Sequence, residues 1–148
     1  MVKLKKRRMY IKSNRKKSTN SNKLTWSKDS DVQKKVLVLL KKLQFDNFDS
    51  KRIFCLRSQN ANTRAIARIY GFSKIWQDVL DQKPAYILEV ISEKFDRLSE
   101  SEKNKVLLHE IAHIPKNFSG SLVPHIRRGK RSFYLRLKTL IENTDRLL

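Results

Sequence analysis

The chain has 148 residues, enough for one domain with a real core and too few for two large ones. Its 34 Lys and Arg against 14 Asp and Glu leave a formal charge of +20, which favours polyanionic partners but defines no chemistry. A single cysteine excludes an internal disulfide or a multi-cysteine metal site, and no apolar run approaches the roughly 18 residues of a membrane span.

Residues 1–28 contain eleven Lys and Arg and no acidic residue. Their apolar residues follow no sustained period, so self-repulsion predicts a disordered arm preceding a domain over 29–148. Lys5, Lys6, Arg7, Arg8, Arg15, Lys16 and Lys17 are its candidate contacts to nucleic-acid phosphates, the plainer reading being a solvated tail. Without the arm, 23 basic and 14 acidic residues remain, so the basicity is not confined to it. The arm lacks the apolar core and cleavage site of a secretory signal, and a cytoplasmic protein is expected.

Beyond the arm, Ser30 or Asp31 is expected to cap a helix reaching about Leu43, with Val32, Val36, Leu39, Leu40 and Leu43 on one face. Phe45 to Phe48 then form a turn. Arg52–Arg57 reads as a strand, with Cys55 a buried small hydrophobe inside it. Ala65–Gly71 alternates in the manner of a second strand. Ser73–Leu80 has Ile75, Trp76, Val79 and Leu80 at helical spacing, and Trp76 is expected in the core. Pro84–Ile91 is the clearest strand, interrupted by Glu89, which is expected on the outward face.

Ser99 and Glu102 then have the form of a capping box, opening a helix that Pro115 must end. Its last turns carry His109-Glu110-Ile111-Ala112-His113, the HExxH spacing of zinc metallopeptidases. Four residues make slightly more than one helical turn, so the two imidazoles project from one face and can share a zinc ion. Glu110, rotated about 100° from His109, is placed to act as general base towards a zinc-activated water. A catalytic zinc typically takes three protein ligands. His125, the remaining histidine, follows a turn permitted by Gly120 and is the expected third ligand, with Glu142 on a closing helix over 133–148 as its competitor. Tyr134, Arg127 and Arg128 are candidates for a second oxyanion donor, and substrate is expected along the edge of the 85–91 strand.

The block from about Ile66 to His125, with ILEVISEKFD, HEIAHIP and the following FSG…PH as its most specific parts, resembles the predicted metallopeptidases of archaea and their viruses. It is similar, more loosely, to SprT-like proteases, which act on DNA-bound proteins. The resemblance implies a compact α+β, zincin-like domain in which a small mixed sheet packs on the HExxH helix, supported by further helices. It implies His109, His113 and His125 as zinc ligands, Glu110 as catalytic base, and protein or peptide as substrate. It does not cover the basic arm. The competing reading is a non-enzymatic nucleic-acid- or ribosome-associated binder on the same scaffold.

Overall fold

The computed structural model describes residues 22–125 and 133–146. Their order is β1 (Thr25–Lys28), α1 (Ser30–Lys42), β2 (Ile53–Gln59), β3 (Ala67–Gly71), α2 (Lys74–Leu80), β4 (Tyr86–Ile91), α3 (Ser92–Phe95), α4 (Glu100–Ala112) and α5 (Phe133–Asp145). The expected α+β architecture is present, as one four-stranded mixed sheet with five helices. Among the described residues, no helix is long and apolar enough to cross a membrane.

The sheet runs β1-β2-β4-β3, with β2 and β4 parallel and the other two pairs antiparallel. Side chains alternate between its faces. Ile53 and Cys55 of β2, and Tyr86, Leu88 and Val90 of β4, point inward and are buried. They meet Val32, Val36, Leu39 and Leu40 of α1 and Leu107, Leu108 and Ile111 of α4 in one continuous core. Burying this aliphatic surface is the main stabilising term, at about 25 cal/mol for each Å² withdrawn from water.

α1 has the predicted apolar face, but its cap lies one residue earlier than expected. Asp29, rather than Ser30 or Asp31, accepts the backbone N–H groups of Asp31 and Val32 at 3.1 and 2.9 Å. Its other carboxylate oxygen accepts from Arg57 Nε at 2.6 Å, so one side chain both starts α1 and ties it to β2. β1 also departs from expectation, because Thr25–Lys28 fall within the stretch assigned to the arm. They pair with Leu56–Gln59 as an edge strand. Four residues are too few to show a period, and the partner strand supplies what their own composition does not.

Glu89 faces outward as expected, yet it is fully buried. It accepts from Trp26 Nε1 at 3.1 Å, Arg68 Nε at 3.0 Å and the Tyr70 hydroxyl at 2.7 Å. Burial works against its charge, but the bonds from Tyr70, Arg68 and Trp26 prevail and hold the carboxyl below the usual range. Glu89 thus joins three strands across the outer face.

Two expectations fail. Trp76 is 57% exposed rather than in the core, and Ile75, Val79 and Leu80 are exposed with it. α2 instead turns Gln77 inward, where the amide is used for hydrogen bonds, and its apolar stripe points away. The 85–91 strand offers no edge to a substrate either. β4 lies between β2 and β3, and both of its sides are already paired. The outer strand on that side is β3.

Candidate metal centre

The centre is built on the end of α4. Ser99 and Glu102 form the predicted capping box, with Ser99 N–H donating to Glu102 at 2.8 Å and Glu102 N–H to Ser99 Oγ at 3.3 Å. The helix then runs to Ala112 with His113 as its C-cap, still in the right-handed helical conformation at φ −74° and ψ −16°. His109 and His113 therefore keep the one-turn relation, their ring centroids 5.2 Å apart. Pro115 stops the helix just beyond, as expected.

The third histidine returns through a tightly docked loop. Phe118 and Gly120 have left-handed backbone, at φ +50° and +87°. The Tyr86 hydroxyl accepts from Gly120 N–H at 2.8 Å and donates to the Ser121 carbonyl at 2.9 Å. Gln77 Nε2 donates to the carbonyls of Phe72 and Ser119 at 2.6 and 2.9 Å. The backbones at Gly71 and Gly120 lie so close that a Cβ on Gly71 would sit 2.2 Å from the Gly120 carbonyl oxygen. Val123 then closes onto the helix end: its N–H donates to the His113 carbonyl at 2.7 Å, and its carbonyl accepts from His113 Nδ1 at 2.7 Å. His125, two residues on, arrives with Nε2 3.1 Å from His109 Nε2.

Phe133, at the start of α5, is fully buried beneath this group. Its ring stacks on His113 at 4.4 Å and lies 5.1 and 4.6 Å from His109 and His125. Arg136 of the same helix donates to the Ile114 carbonyl and anchors α5 to the end of α4. Together they form an aromatic floor that limits how the imidazoles can turn.

Burial, followed by repulsion from His113 and His125, pushes the His109 imidazole down to about 4. Burial also lowers His113, with His125 and Arg136 adding to the effect and the bond to Val123 opposing it. Both rings are thereby favoured as the neutral form that ligates metals. Because His113 Nδ1 carries the proton given to Val123, its Nε2 lone pair faces the centre. Glu110, 9% exposed, has its carboxyl pushed up to about 7 by burial alone.

Among the described residues, the ligand-type nitrogens of His109, His113 and His125 all lie within 4.8 Å of one another. Tetrahedral zinc with imidazole bonds of 2.0–2.1 Å needs nitrogens about 3.3 Å apart, close to the spacing between His109 and His125. Three imidazoles, one with its tautomer set by a backbone carbonyl, fit a divalent transition metal. A family model described as "Putative phage metallopeptidase" matches residues 24–138. The chain belongs to this phage metallopeptidase family. No curated protein and no solved structure matches it. The family match runs from β1 into α5, taking in all three histidines and ending before Glu142.

Other residues singled out in the sequence fall elsewhere. Glu142 is exposed, faces Lys138 at 3.8 Å and is not in the histidine group. Tyr134 is exposed, its ring 6.3 Å from that of His125. Cys55 is buried on the inner face of β2 and its thiol is pushed up to about 12, first by burial and then by the charge of Asp29, so it has no thiolate to offer. Arg127, Arg128 and the seven arm residues from Lys5 to Lys17 lie outside the described residues. Sequence reasoning missed Gln77, Tyr86 and Gly71 as supports of the loop. The signals available were slight: a glutamine on an apolar helix, and a glycine ending a strand.

Two tests follow from this geometry. Gly71→Ala should displace the 119–121 loop and lower affinity for an added divalent transition metal at least about tenfold by chelator competition, although Gly71 is no ligand. Wild-type affinity in that variant would detach the loop contact from the centre. The second test concerns pH in metal-free protein. Glu110, raised from 4.5 to about 7, contributes stability that is full below 4.5 and fades as pH rises through 7. His109, lowered from 6.5 to about 4, acts oppositely: its contribution is full above 6.5 and is lost as pH falls through 4. Removing the carboxylate with Glu110→Gln should therefore raise Tm relative to wild type by an amount that grows as pH rises from 4.5 and reaches several degrees above about 7. Parallel Tm curves for the two proteins would contradict the buried carboxyl.

Proposed function

We propose that the chain is a zinc-dependent metallopeptidase in which His109, His113 and His125 hold the ion and Glu110 is the general base. The carrying observation is the convergence of three imidazoles from two segments beside a buried carboxyl. Family membership supports the peptidase class, and an all-imidazole donor set with a fourth position open is the pattern of catalytic rather than structural zinc. Zinc, when bound, supplies a water acidified towards ~7 and polarises the scissile carbonyl.

The remaining steps belong to the chain. Glu110 takes a proton from the attacking water as its oxygen adds to the carbonyl carbon. The same carboxyl then delivers that proton to the leaving nitrogen as the C–N bond breaks. Its value of about 7 in the metal-free chain suits exchange near neutrality, and a cation alongside would pull it down and keep the base ionised. Tyr134, beside His125, is the described candidate for a second oxyanion donor.

The outer edge of β3 is the proposed bed for the peptide backbone. Ile66 and Phe72 make their backbone bonds towards β4, to Ile91 N–H and the Ala85 carbonyl at 2.9 Å each. By antiparallel alternation, the peptide groups of Ala67, Ile69 and Gly71 face away and are available to an added strand. A zincin-like arrangement, with substrate between this strand and α4, accommodates both features.

Protein purified without chelators should contain zinc at one per chain, and His125→Ala should lose most of it. Glu110→Gln should keep the zinc and lose peptide hydrolysis by about 100-fold or more. If Glu110→Gln leaves function untouched, the non-enzymatic binder becomes the better reading. We also propose that Lys5, Lys6, Arg7, Arg8, Arg15, Lys16 and Lys17 contact phosphates, so that hydrolysis takes place near nucleic acid, a reading supported by the +20 charge. Deleting residues 1–21 should weaken DNA binding and flatten its salt dependence, and an unchanged slope would reduce the arm to a solubility tail.

A further inference from the structure

Beside the histidines, on the side of β3, lies an open apolar cleft of about 380 Å³. Ala67 lines it from the start of β3 and Ile66 from just before it, Val106 from α4, and Leu137 and Ile141 from α5. Four of these five are only partly buried, although each also packs against the core. Apolar side chains from three separate elements thus converge without covering one another. His109 and Glu110 form its border towards the centre. Lys105 stands on the rim and is the only charged group bordering the cleft besides Glu110, among the described residues.

We infer that this cleft is the specificity pocket of the enzyme and takes an uncharged aliphatic or aromatic side chain from the residue next to the scissile bond. The inference rests on the peptidase reading above. Its position follows from the border: a side chain in contact with both Glu110 and His109 cannot be far from the bond being cut. Its preference follows from the lining. Five apolar residues reward an apolar side chain and, inside the rim held by Lys105, give an acidic or amide group no partner, so burying a polar side chain there is unfavourable. Lys105 repels a lysine or arginine at the entrance. The volume lies within the range of about 300–1,000 Å³ usual for ligand pockets. The substrate class is thus a peptide with an apolar residue at the cleavage point, presented along β3.

The test uses the zinc-loaded full chain and a series of peptide hydroxamates that differ in one side chain: glycine, leucine, phenylalanine, aspartate and lysine. Binding is read by calorimetry, which does not depend on turnover. The leucine and phenylalanine compounds should bind at least about tenfold more tightly than the glycine compound, with aspartate and lysine no better than glycine. Val106→Phe, which fills the cleft, should erase the advantage, and Ile141→Ala, which widens it, should favour phenylalanine over leucine. Thermal denaturation checks that each variant is folded, and the wild-type series stands without them. Equal binding across the series, or a preference for aspartate, overturns the pocket while leaving the metal centre intact. No binding by any hydroxamate, with no zinc in the protein, overturns the peptidase reading and the pocket with it.

Discussion

The pair of hydrogen bonds between His113 and Val123 is the constraint on which the centre depends. One bond runs from Val123 N–H to the helix-terminal carbonyl, the other from His113 Nδ1 to the Val123 carbonyl. The first satisfies a carbonyl that every helix end leaves unpaired. The second fixes which imidazole nitrogen is free. Together they determine where the chain stands two residues later, and so where His125 points. A helix end, a tautomer and the approach of a third imidazole are settled by a single contact.

That contact needs the loop behind it, and the loop needs the sheet. Tyr86 of β4 reaches Gly120 and Ser121, Gln77 of α2 reaches Ser119, and Gly71 at the end of β3 leaves room for the Gly120 carbonyl. α2 is thus a support for the loop rather than a core helix, which is why its glutamine is buried and its tryptophan is not. The floor comes from the opposite direction, where Phe133 seals the rings from below and Arg136 holds α5 to the end of α4.

Two buried carboxylates show how environment divides their roles. Glu89 sits under Trp26, Arg68 and Tyr70, and those donors keep it ionised and fixed as a structural bond across three strands. Glu110 is buried beside neutral imidazoles and an apolar cleft, and burial alone raises it towards neutrality. The first is locked as an anion. The second is free to exchange a proton, the property that a general base requires.

Several features were legible in the sequence because they are local. The capping box at Ser99 and Glu102, the one-turn spacing of His109 and His113, and the stop at Pro115 depend on residues a few positions apart. Helical geometry converts such spacing directly into direction. The β-forming runs at 52–57 and 84–91 were legible for a similar reason, since alternation and β-branching act along the strand itself. What tertiary structure alone decided is of longer range: the convergence of His125 with the other two histidines, the near-contact of Gly71 and Gly120, the interior place of β4, the outward turn of Trp76 and the burial of Glu110. Each depends on which surfaces meet after loops close over dozens of residues, and neither periodicity nor capping encodes that choice. Thus the sequence by itself determined two imidazoles and a carboxyl on one helix, and the fold decided that a third imidazole would join them.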